Sequence, residues 1–503
     1  MATVGTDNVV AEPRLPRWIP RFRFYTVFTL TGLALVVPVL YFMRKGLTGD
    51  FWWVWASGEW MSRHHRIFLS NPGTWNGATL AGKSWVNLEW GWEWFLYQIN
   101  PHLNPLTYIV FLVVFEVLML LAFLWAIEAM APHLTAEIRW ALYAVYAVLA
   151  FPFTVGLRAE LFSYVAFPLL LGIIWRARQN IRWLWALDGL TLVWANVHGS
   201  WLMILVLMAL EVGYSMLRRS WRDALWQSIW GLVVPVLAVI ALTPSHLTTL
   251  TYAWWLDHNH YINTYIQEWQ SINFHDTTYL VFGVAVFAAW LWRGRTHHDY
   301  PLLLDIWFIG VTLAFFDEVR MITYFGMTFI LWLGYGLAQR AHNYDWLPNR
   351  TGLHAQRWAL VGGLMAGLGV SLVVAFVTQT QWTRPAVPSK IVAYVNEVPH
   401  GVVFAPIDDG GYLIAHRVHG VFIDGRSDFF LAHGTRFQNY VSLIVDQSDN
   451  PRRVAHIFKE DHITMVVWPE GQLNPTLGWY MATRHWHEVL SSHDWLVYVP
   501  KNA

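Results

Sequence analysis

The stretch Phe24 to Met43, FYTVFTLTGLALVVPVLYFM, decides the fold class of this chain. It contains no charged residue and is about as long as an α-helix must be to cross the hydrocarbon core of a bilayer. It lacks the small-residue cleavage site of a secretory signal, so we expect a membrane span. Similar apolar runs recur as far as Thr378 and predict eleven spans: residues 24–43, 105–130, 139–157, 161–176, 183–198, 200–217, 227–244, 277–292, 301–316, 321–338 and 358–379.

The composition indicates a mainly α, polytopic membrane protein. Of its 503 residues, 56% are hydrophobic and 13% are charged, whereas a soluble domain carries roughly 25% charged residues. The formal net charge is zero, so the charge balance gives no indication of a nucleic-acid partner. The chain has no cysteine, which excludes disulfides, thiolate metal ligands and cysteine nucleophiles.

Basic residues are concentrated at every second joint between the predicted spans. Sixteen arginines lie at one set of joints: Arg14, Arg17, Arg21, Arg23, Arg139, Arg176, Arg178, Arg182, Arg218, Arg219, Arg222, Arg293, Arg295, Arg340, Arg350 and Arg357. Seven basic residues lie at the other set: Arg44, Lys45, Arg63, Arg66, Lys83, Arg158 and Arg320. Since cytoplasmic loops retain Lys and Arg, we predict an inner-membrane protein with a cytoplasmic N-terminus and an extracytoplasmic C-terminus.

Three parts are predicted along the chain. Residues 1–23 form a cytoplasmic tail, residues 24–379 form a transmembrane domain with long outer loops at 44–104 and 245–276, and residues 380–503 form a small extracytoplasmic α/β domain. Strand-like runs in the last part lie at 401–406, 412–414, 420–424, 463–468 and 495–499, and helices are predicted near 389–397, 433–446 and 451–460. Asp424 and Arg426 are interpreted as a turn held by its own salt bridge.

Tryptophan is unusually frequent, with 34 residues. Aromatic belts at the two membrane interfaces account for most of this excess. Nine tryptophans lie in the outer loop 44–104, however: Trp52, Trp53, Trp55, Trp60, Trp75, Trp85, Trp90, Trp92 and Trp94. Because an indole offers a flat apolar face, we interpret this cluster as stacking surfaces for sugar rings or an isoprenoid chain. Trp53 and Trp90 are the substrate-binding candidates within it.

Asp50 directly follows the first span and is the first candidate for a general base. A carboxylate at the outer mouth of a helix bundle is well placed to deprotonate an acceptor hydroxyl close to a membrane-embedded donor. The alternative is a solvated Asp in the C-terminal turn of a helix. Glu89 is the second catalytic candidate, and it precedes Glu93 by one helical turn if this stretch is helical.

Further polar residues fall on the same predicted outer side. Arg158 needs an anionic partner, which either Glu160 or the phosphate of a lipid carrier would supply. Asn196 and His198 end the fifth span, and a hydrogen-bonded turn histidine is the alternative to a substrate-binding one. The remaining substrate-binding candidates are Glu268 and Trp269 in the second long loop and Arg320 after the ninth span.

No cofactor is predicted from the spacing of possible metal ligands. The histidine pairs His64–His65, His258–His260 and His297–His298 lack the i, i+4 helical spacing of a zinc site. Carboxylates at the outer mouth are the type of ligand that would hold Mg²⁺ or Mn²⁺ beside a phosphate, so a divalent cation remains an option.

The order of these motifs resembles the GT-C superfamily of polytopic membrane glycosyltransferases, and within it a bacterial branch. The segments that carry the resemblance are Asp50-Phe-Trp-Trp-Val-Trp-Ala-Ser-Gly58, Asn87-Leu-Glu89-Trp90, Arg158-Ala-Glu160-Leu-Phe162, Trp194-Ala-Asn-Val-His-Gly199, Glu268-Trp269, Gly410-Gly-Tyr-Leu413 and Ile423-Asp-Gly-Arg426. The chain departs from the branch at Leu88, where a His is expected, at Ala159, where a Pro is expected, and at 243–246, where an Asn-Pro-x-Gly turn is expected.

The resemblance implies an inverting enzyme that moves a sugar from a polyprenyl-phosphate carrier to an acceptor on the outer side. It implies Asp50 as the base and Arg158 or Arg320 as the group that binds the phosphate. Two alternatives stay open. A non-catalytic subunit or scaffold of the same fold, binding a partner protein or glycan, is favoured by the altered motifs. A transporter of lipid-linked sugars would require broken helices near the membrane midplane.

Overall fold

The computed structural model describes residues 18–45, 47, 49–132, 134, 136–149, 156–295, 301–343, 353–378, 385–445, 450–484 and 486–501. Most of the predicted cytoplasmic tail lies outside these ranges. So do residues 150–155 of the third predicted span and residue 379 of the last one.

Helices dominate the chain as far as residue 377. Apart from the four-residue helix Gly73–Asn76, the first ten are α1 Trp18–Lys45, α2 Gly49–His64, α3 Trp90–Ile99, α4 Pro105–Met130, α5 Ala136–Leu149, α6 Glu160–Ala177, α7 Leu184–Trp194, α8 Leu202–Leu217, α9 Trp221–Ser228 and α10 Val234–Leu242. The next six are α11 Thr248–Asp257, α12 His260–Tyr265, α13 Thr277–Arg295, α14 Leu302–Asp317, α15 Ile322–Asn343 and α16 Leu353–Val377. A π-helical turn, Ile229–Val233, makes α9 and α10 continuous.

A helix lies at each of the eleven predicted spans, namely α1, α4 to α8, the α9–α10 pair, and α13 to α16. Six stretches of the described chain are long and apolar enough to cross a membrane: Pro105–Met130, Glu160–Ala177, Gly199–Leu217, Trp221–Leu242, Val319–Gln339 and Trp358–Val377. The protein is therefore a membrane protein built on a helix bundle.

The predicted span 183–198 is wrong at its outer end. Helix α7 has eleven residues and stops at Trp194, after which the chain turns until a short 3₁₀ segment, Gly199–Trp201, leads into α8. Asn196 and Gly199 favour this interruption because both residue types are weak helix formers. The turn matters because it places His198 beside Ser163, Ser200 and Glu89.

The described residues of the predicted outer loop 44–104 are mostly helical. Helix α2 packs on α3 at Gly58, where a side chain would overlap the carbonyl oxygen of Glu93. Six of the nine loop tryptophans are at most 8% exposed and belong to the hydrophobic core: Trp52, Trp53, Trp55, Trp75, Trp85 and Trp92. The interpretation of the cluster as stacking surfaces is wrong for these six, because their large apolar area is used to pack the loop.

An α/β unit follows the bundle. Its elements are α17 Ser389–Glu397, β1 Val402–Phe404, α18 Ile407–Ala415, α19 Ser427–Ala432, α20 Arg436–Ile444, α21 Pro451–Glu460, β2 Ile463–Pro469, α22 Pro475–Thr483, β3 Trp486–Ser492 and β4 Trp495–Pro500. The sheet has the order β1-β2-β4-β3, with β1 parallel to β2 and the other two pairings antiparallel. Helices predicted at 389–397 and 451–460 are confirmed.

The strand predicted at 412–414 is wrong, because these residues belong to helix α18. Pro406 precedes this helix, and Asp408 and Asp409 occupy its first turn, where negative charge favours a helix N-terminus. Gly410 and Gly411 let α18 approach its neighbours closely. A side chain on Gly410 would overlap the carbonyl oxygen of Ile423, and one on Gly411 would press on the backbone of α2.

The outer loop and the α/β unit are joined by a continuous seam. The backbone amides of Gly420 and Val421 donate hydrogen bonds of 3.0 and 2.7 Å to the carbonyl oxygens of Thr74 and Trp75. The predicted salt bridge between Asp424 and Arg426 is confirmed, with Nη2 of Arg426 2.7 Å from Oδ2 of Asp424. Because α18 packs against the start of α2, this seam also fixes the position of Asp50.

Candidate functional site

Three carboxylates from three distant segments surround the guanidinium of Arg158. Glu268 forms a two-pronged ion pair, with Nη1 3.1 Å from Oε2 and Nη2 3.2 Å from Oε1. Oε1 of Glu160 lies 3.1 Å from Nη2, and Oδ2 of Asp50 lies 3.4 Å from Nε. The expected pairing with Glu160 is confirmed. Glu268 is the stronger partner because it makes two hydrogen bonds with Arg158. It is 110 residues away in sequence, and no local pattern predicts this pairing.

Asp50 stands in the first turn of α2, so the alternative of a solvated C-terminal turn is wrong. Its Oδ1 accepts a 3.2 Å hydrogen bond from Nε1 of Trp53. Gly425 of the α/β unit lies against the same oxygen, and a side chain there would overlap it. Burial raises the pKa of Asp50 above its usual value, and the Arg158 guanidinium partly offsets this. A carboxylate with a raised pKa is a stronger base than a solvated one.

Trp53 does not offer its ring to a substrate. Its side chain is 8% exposed, and its ring packs edge-on against Trp85 with centroids 5.6 Å apart. The indole N–H that orients Asp50 is its contribution to the site. The prediction of Trp53 as a sugar platform is therefore replaced by a positioning role.

His198 faces the second catalytic candidate. Its Nδ1 accepts a hydrogen bond from the backbone N–H of Ser200 at 3.3 Å and lies within 2.9 Å of the Ser163 hydroxyl. The proton of the neutral ring is therefore on Nε2, which lies 3.5 Å from Oε1 of Glu89 and 4.0 Å from Oε1 of Glu160. Burial, and then the Glu160 carboxylate, raise the pKa of Glu89 well above its usual value.

Asn196 and Trp90 pair with each other. Nε1 of Trp90 donates a 3.0 Å hydrogen bond to Oδ1 of Asn196, and the backbone N–H of Gly91 donates to the carbonyl oxygen of Asn196 at 2.9 Å. These bonds dock the start of α3 on the turn after α7. They hold Glu89 opposite His198, so the contacts of Asn196 indicate a structural role.

Arg320 and Trp269 form a separate pair at the edge of the carboxylate cluster. The guanidinium carbon of Arg320 lies over the Trp269 ring, and Nε lies 2.6 Å from Oε2 of Glu318. The amide of Val319 donates to the carbonyl oxygen of Gln270 at 3.0 Å, which ties the second outer loop to the turn between α14 and α15. Arg158 holds the pKa of Glu268 below its usual value against the opposing effect of burial, and Arg320 lowers this pKa further.

Most of the residues proposed from the sequence lie near one another, whereas several residues that contact them were not proposed. Glu93 lies outside it, because its buried carboxylate accepts a 2.7 Å hydrogen bond from Nδ2 of Asn87 within the loop core. Glu318, Ser163 and Gly425 were not among the site candidates. The acidic pair beside Arg320 was the available signal for Glu318, and the motif Ile423-Asp-Gly-Arg426 was the available signal for Gly425.

The residues present do not fit a resident divalent cation. No group of three or more His, Asp or Glu side chains in the described part of the chain has the geometry of a metal site. The oxygens that would be the ligands, from Asp50, Glu160 and Glu268, all face the nitrogens of Arg158. Two cations cannot share so small a space without strong repulsion.

Solved structures share this fold. The apo oligosaccharyltransferase of Archaeoglobus fulgidus aligns with 98% of this chain and 76% of its own, at a TM-score of 0.57 and 10% identity. The same organism's oligosaccharyltransferase AglB, in complex with an inhibitory peptide and a dolichol-phosphate, aligns with 96% of this chain and 75% of its own (TM-score 0.51, 10% identity).

A third structure, the same oligosaccharyltransferase tethered to an acceptor peptide containing the NVT sequon, aligns with 90% of this chain and 70% of its own (TM-score 0.52, 10% identity). No family model and no curated protein matches the sequence. The predicted fold, a polytopic helix bundle followed by a small α/β unit, is therefore confirmed as one that these oligosaccharyltransferases share. At 10% identity the likeness establishes the fold and not the reaction.

Proposed function

We propose that this protein is an inverting membrane glycosyltransferase that moves a sugar from a polyprenyl-phosphate carrier to an acceptor on the outer face of the membrane. The observation that carries the proposal is the Asp50 carboxylate, oriented by Trp53 and Arg158 beside the carboxylate cluster of a GT-C-like bundle. The fold gives further support, since a fold neighbour was solved with a dolichol-phosphate.

The reaction is a single displacement at the anomeric carbon of the donor sugar. Asp50 takes the proton of the acceptor hydroxyl as its oxygen forms a bond to the anomeric carbon. The bond between that carbon and the phosphate oxygen breaks, and the polyprenyl phosphate leaves with the electron pair. One displacement inverts the configuration of the sugar, and no nucleotide takes part.

Arg320 is the group we assign to the phosphate. Among the described residues it pairs with one carboxylate, that of Glu318, whereas all three nitrogens of the Arg158 guanidinium face carboxylates. The leaving phosphate gains negative charge in the transition state, and a guanidinium beside it stabilises that charge. Burial and the neighbouring Glu160 carboxylate favour the protonated form of Glu89 by raising its pKa, and that form can donate a hydrogen bond to the sugar donor.

The site lies at the predicted outer ends of the spans. We propose an inner-membrane protein with its N-terminus in the cytoplasm, because sixteen basic residues at one set of joints oppose seven at the other. We further propose that residues 380–503 form an extracytoplasmic domain whose Gly425 turn closes the site over Asp50.

A transfer assay tests the proposal. Purified protein is reconstituted with a pool of polyprenyl-phosphate sugars and membrane extract as acceptor, and the loss of each donor is followed by mass spectrometry. We expect wild type to consume one donor and Asp50→Asn to be slower by about 10²- to 10⁴-fold, because the amide cannot take a proton. Asp408→Asn, at an exposed position in the first turn of α18, is the matched control and should keep wild-type activity.

The scaffold alternative makes a different prediction for the same experiment. If wild type consumes no donor and binds none of the carriers, a non-catalytic subunit becomes the better explanation. The pairing of Arg158 with three carboxylates favours that alternative, since it leaves this arginine little capacity to bind a substrate phosphate.

A further inference from the structure

We infer that Arg158 is a built-in cation that takes the place of a divalent metal ion in this site, so that the site works without metal. The catalytic part of this inference rests on the proposed function, whereas the structural part does not. It arises because a cluster of carboxylates, the ligand type that divalent metal ions prefer, surrounds an arginine side chain instead.

The three carboxylates converge on the guanidinium of Arg158. Asp50 comes from α2, Glu160 from the first residue of α6, and Glu268 from a 3₁₀ turn in the second outer loop. Their oxygens lie between 3.1 and 3.4 Å from the nitrogens of one planar group. Sets of carboxylate oxygens from separate segments are what hard divalent cations bind in proteins.

The guanidinium satisfies this ligand set in a way that an ion would not. It directs a different N–H to each side: Nε faces Asp50, Nη1 faces Glu268, and Nη2 faces both Glu160 and Glu268. The fork also pairs bidentately with one carboxylate, which is the strongest arrangement available to arginine. Each carboxylate is therefore oriented by Arg158, which makes it a positioning residue for Asp50.

A fixed charge has consequences that a bound ion does not have. Arginine stays protonated across the accessible pH range and cannot be removed by a chelator. It also supplies one positive charge where a divalent ion would supply two. The three carboxylates thus keep a net negative charge, and removing Arg158 would leave them facing one another without a counter-ion, a state that favours uptake of a cation.

Manganese binding to the full-length protein in detergent tests the inference without a sugar substrate, so its result is independent of the proposed reaction. Free Mn²⁺ is measured by electron paramagnetic resonance during a titration. We expect wild type and Arg417→Ala to bind no stoichiometric Mn²⁺. Arg417 pairs with the single carboxylate Glu59 and is the matched control. We expect Arg158→Ala to gain one site, on the order of tenfold tighter or more than any wild-type binding.

Two further variants identify the source of the gain. Adding Glu268→Gln to Arg158→Ala should abolish the new site, and Arg158→Lys, which keeps the charge, should not create one. Wild-type binding of one Mn²⁺ that Glu268→Gln removes would overturn the inference, as would a folded Arg158→Ala protein that gains no site. If Arg158→Ala does not fold, the wild-type titration and the Arg158→Lys titration decide between these outcomes.

Discussion

Two of the arginines that pair with carboxylates, Arg426 and Arg158, have different surroundings. Arg426 and Asp424, at the seam of the α/β unit, are both 0% exposed. Four aromatic rings surround Arg426, with its guanidinium carbon 4.9 Å from the centroid of Trp75 and 5.0 Å from that of Phe429. Arg158 and Asp50 are 33% and 31% exposed. Both arginines join segments that are far apart in the sequence.

The difference separates a structural ion pair from a site. A fully buried ion pair with fixed partners exchanges neither water nor substrate, and its role is to hold two segments together. A partly exposed cluster with more carboxylates than cations can rearrange when a charged substrate enters. Burial and pairing, rather than residue type, therefore decide which arginine cluster carries chemistry.

Replacing each arginine should lower the free energy of unfolding by different amounts. We expect Arg426→Gln to lower the free energy of unfolding by about 3–5 kcal/mol, because it leaves Asp424 buried without its partner. The same change at Arg158 should cost about 1 kcal/mol, since water can solvate the partly exposed carboxylates. Thermal unfolding in detergent at one pH measures both, and equal losses would contradict the distinction.

Truncating Arg320 should weaken carrier binding while leaving the fold intact. Loss of a charged hydrogen bond to phosphate costs about 1.5–3 kcal/mol, which corresponds to roughly a 10- to 100-fold weaker affinity. Arg320→Ala should show this loss in titrations with a short-chain polyprenyl phosphate. Arg63→Ala, at an exposed position on α2, is the matched control. Unchanged affinity in Arg320→Ala would exclude Arg320 as the phosphate ligand.

Glu93 should give a smaller effect that depends on pH. Burial raises the pKa of Glu93 from 4.5 to about 8. Between these values the folded protein holds a proton that the unfolded chain has lost, so this contribution to stability is present below about pH 4.5 and is lost as the pH rises to about 8.

Glu93→Gln removes that titration. Its melting temperature relative to wild type should therefore rise between pH 5 and pH 8, and the relative gain should level off at higher pH. The exposed Glu397→Gln variant should show no such trend. A constant difference between Glu93→Gln and wild type across this range would show that Glu93 does not titrate in this way.

The fold could be predicted from the sequence further than the site could. Long apolar runs and basic joints marked all eleven bundle helices, because membrane insertion depends on local composition. The strand assigned at 412–414 failed because Tyr412-Leu-Ile is apolar enough for either structure, and its packing on α2 through Gly411 favours the helix.

Candidate residues could be named from the sequence, but their partners could not. Asp50, Arg158, Glu160 and Glu268 meet only after three segments pack together, and no local pattern records that Glu268 is the main partner of Arg158. The interpretation of the tryptophan cluster as stacking surfaces failed for a related reason. An aromatic cluster has the same composition whether it binds a sugar or packs a loop, and burial alone distinguishes the two.

The most direct test is a cryo-electron microscopy structure of the full chain in a nanodisc with polyprenyl phosphate added. We expect density for the phosphate within hydrogen-bonding distance of the Arg320 guanidinium, beside Trp269 and open to Asp50. Arg158 should stay paired with Glu268, and no metal density should lie between them. Phosphate density away from this cluster, for example against the apolar surface of α8 near Tyr214, would contradict the assignment of the site.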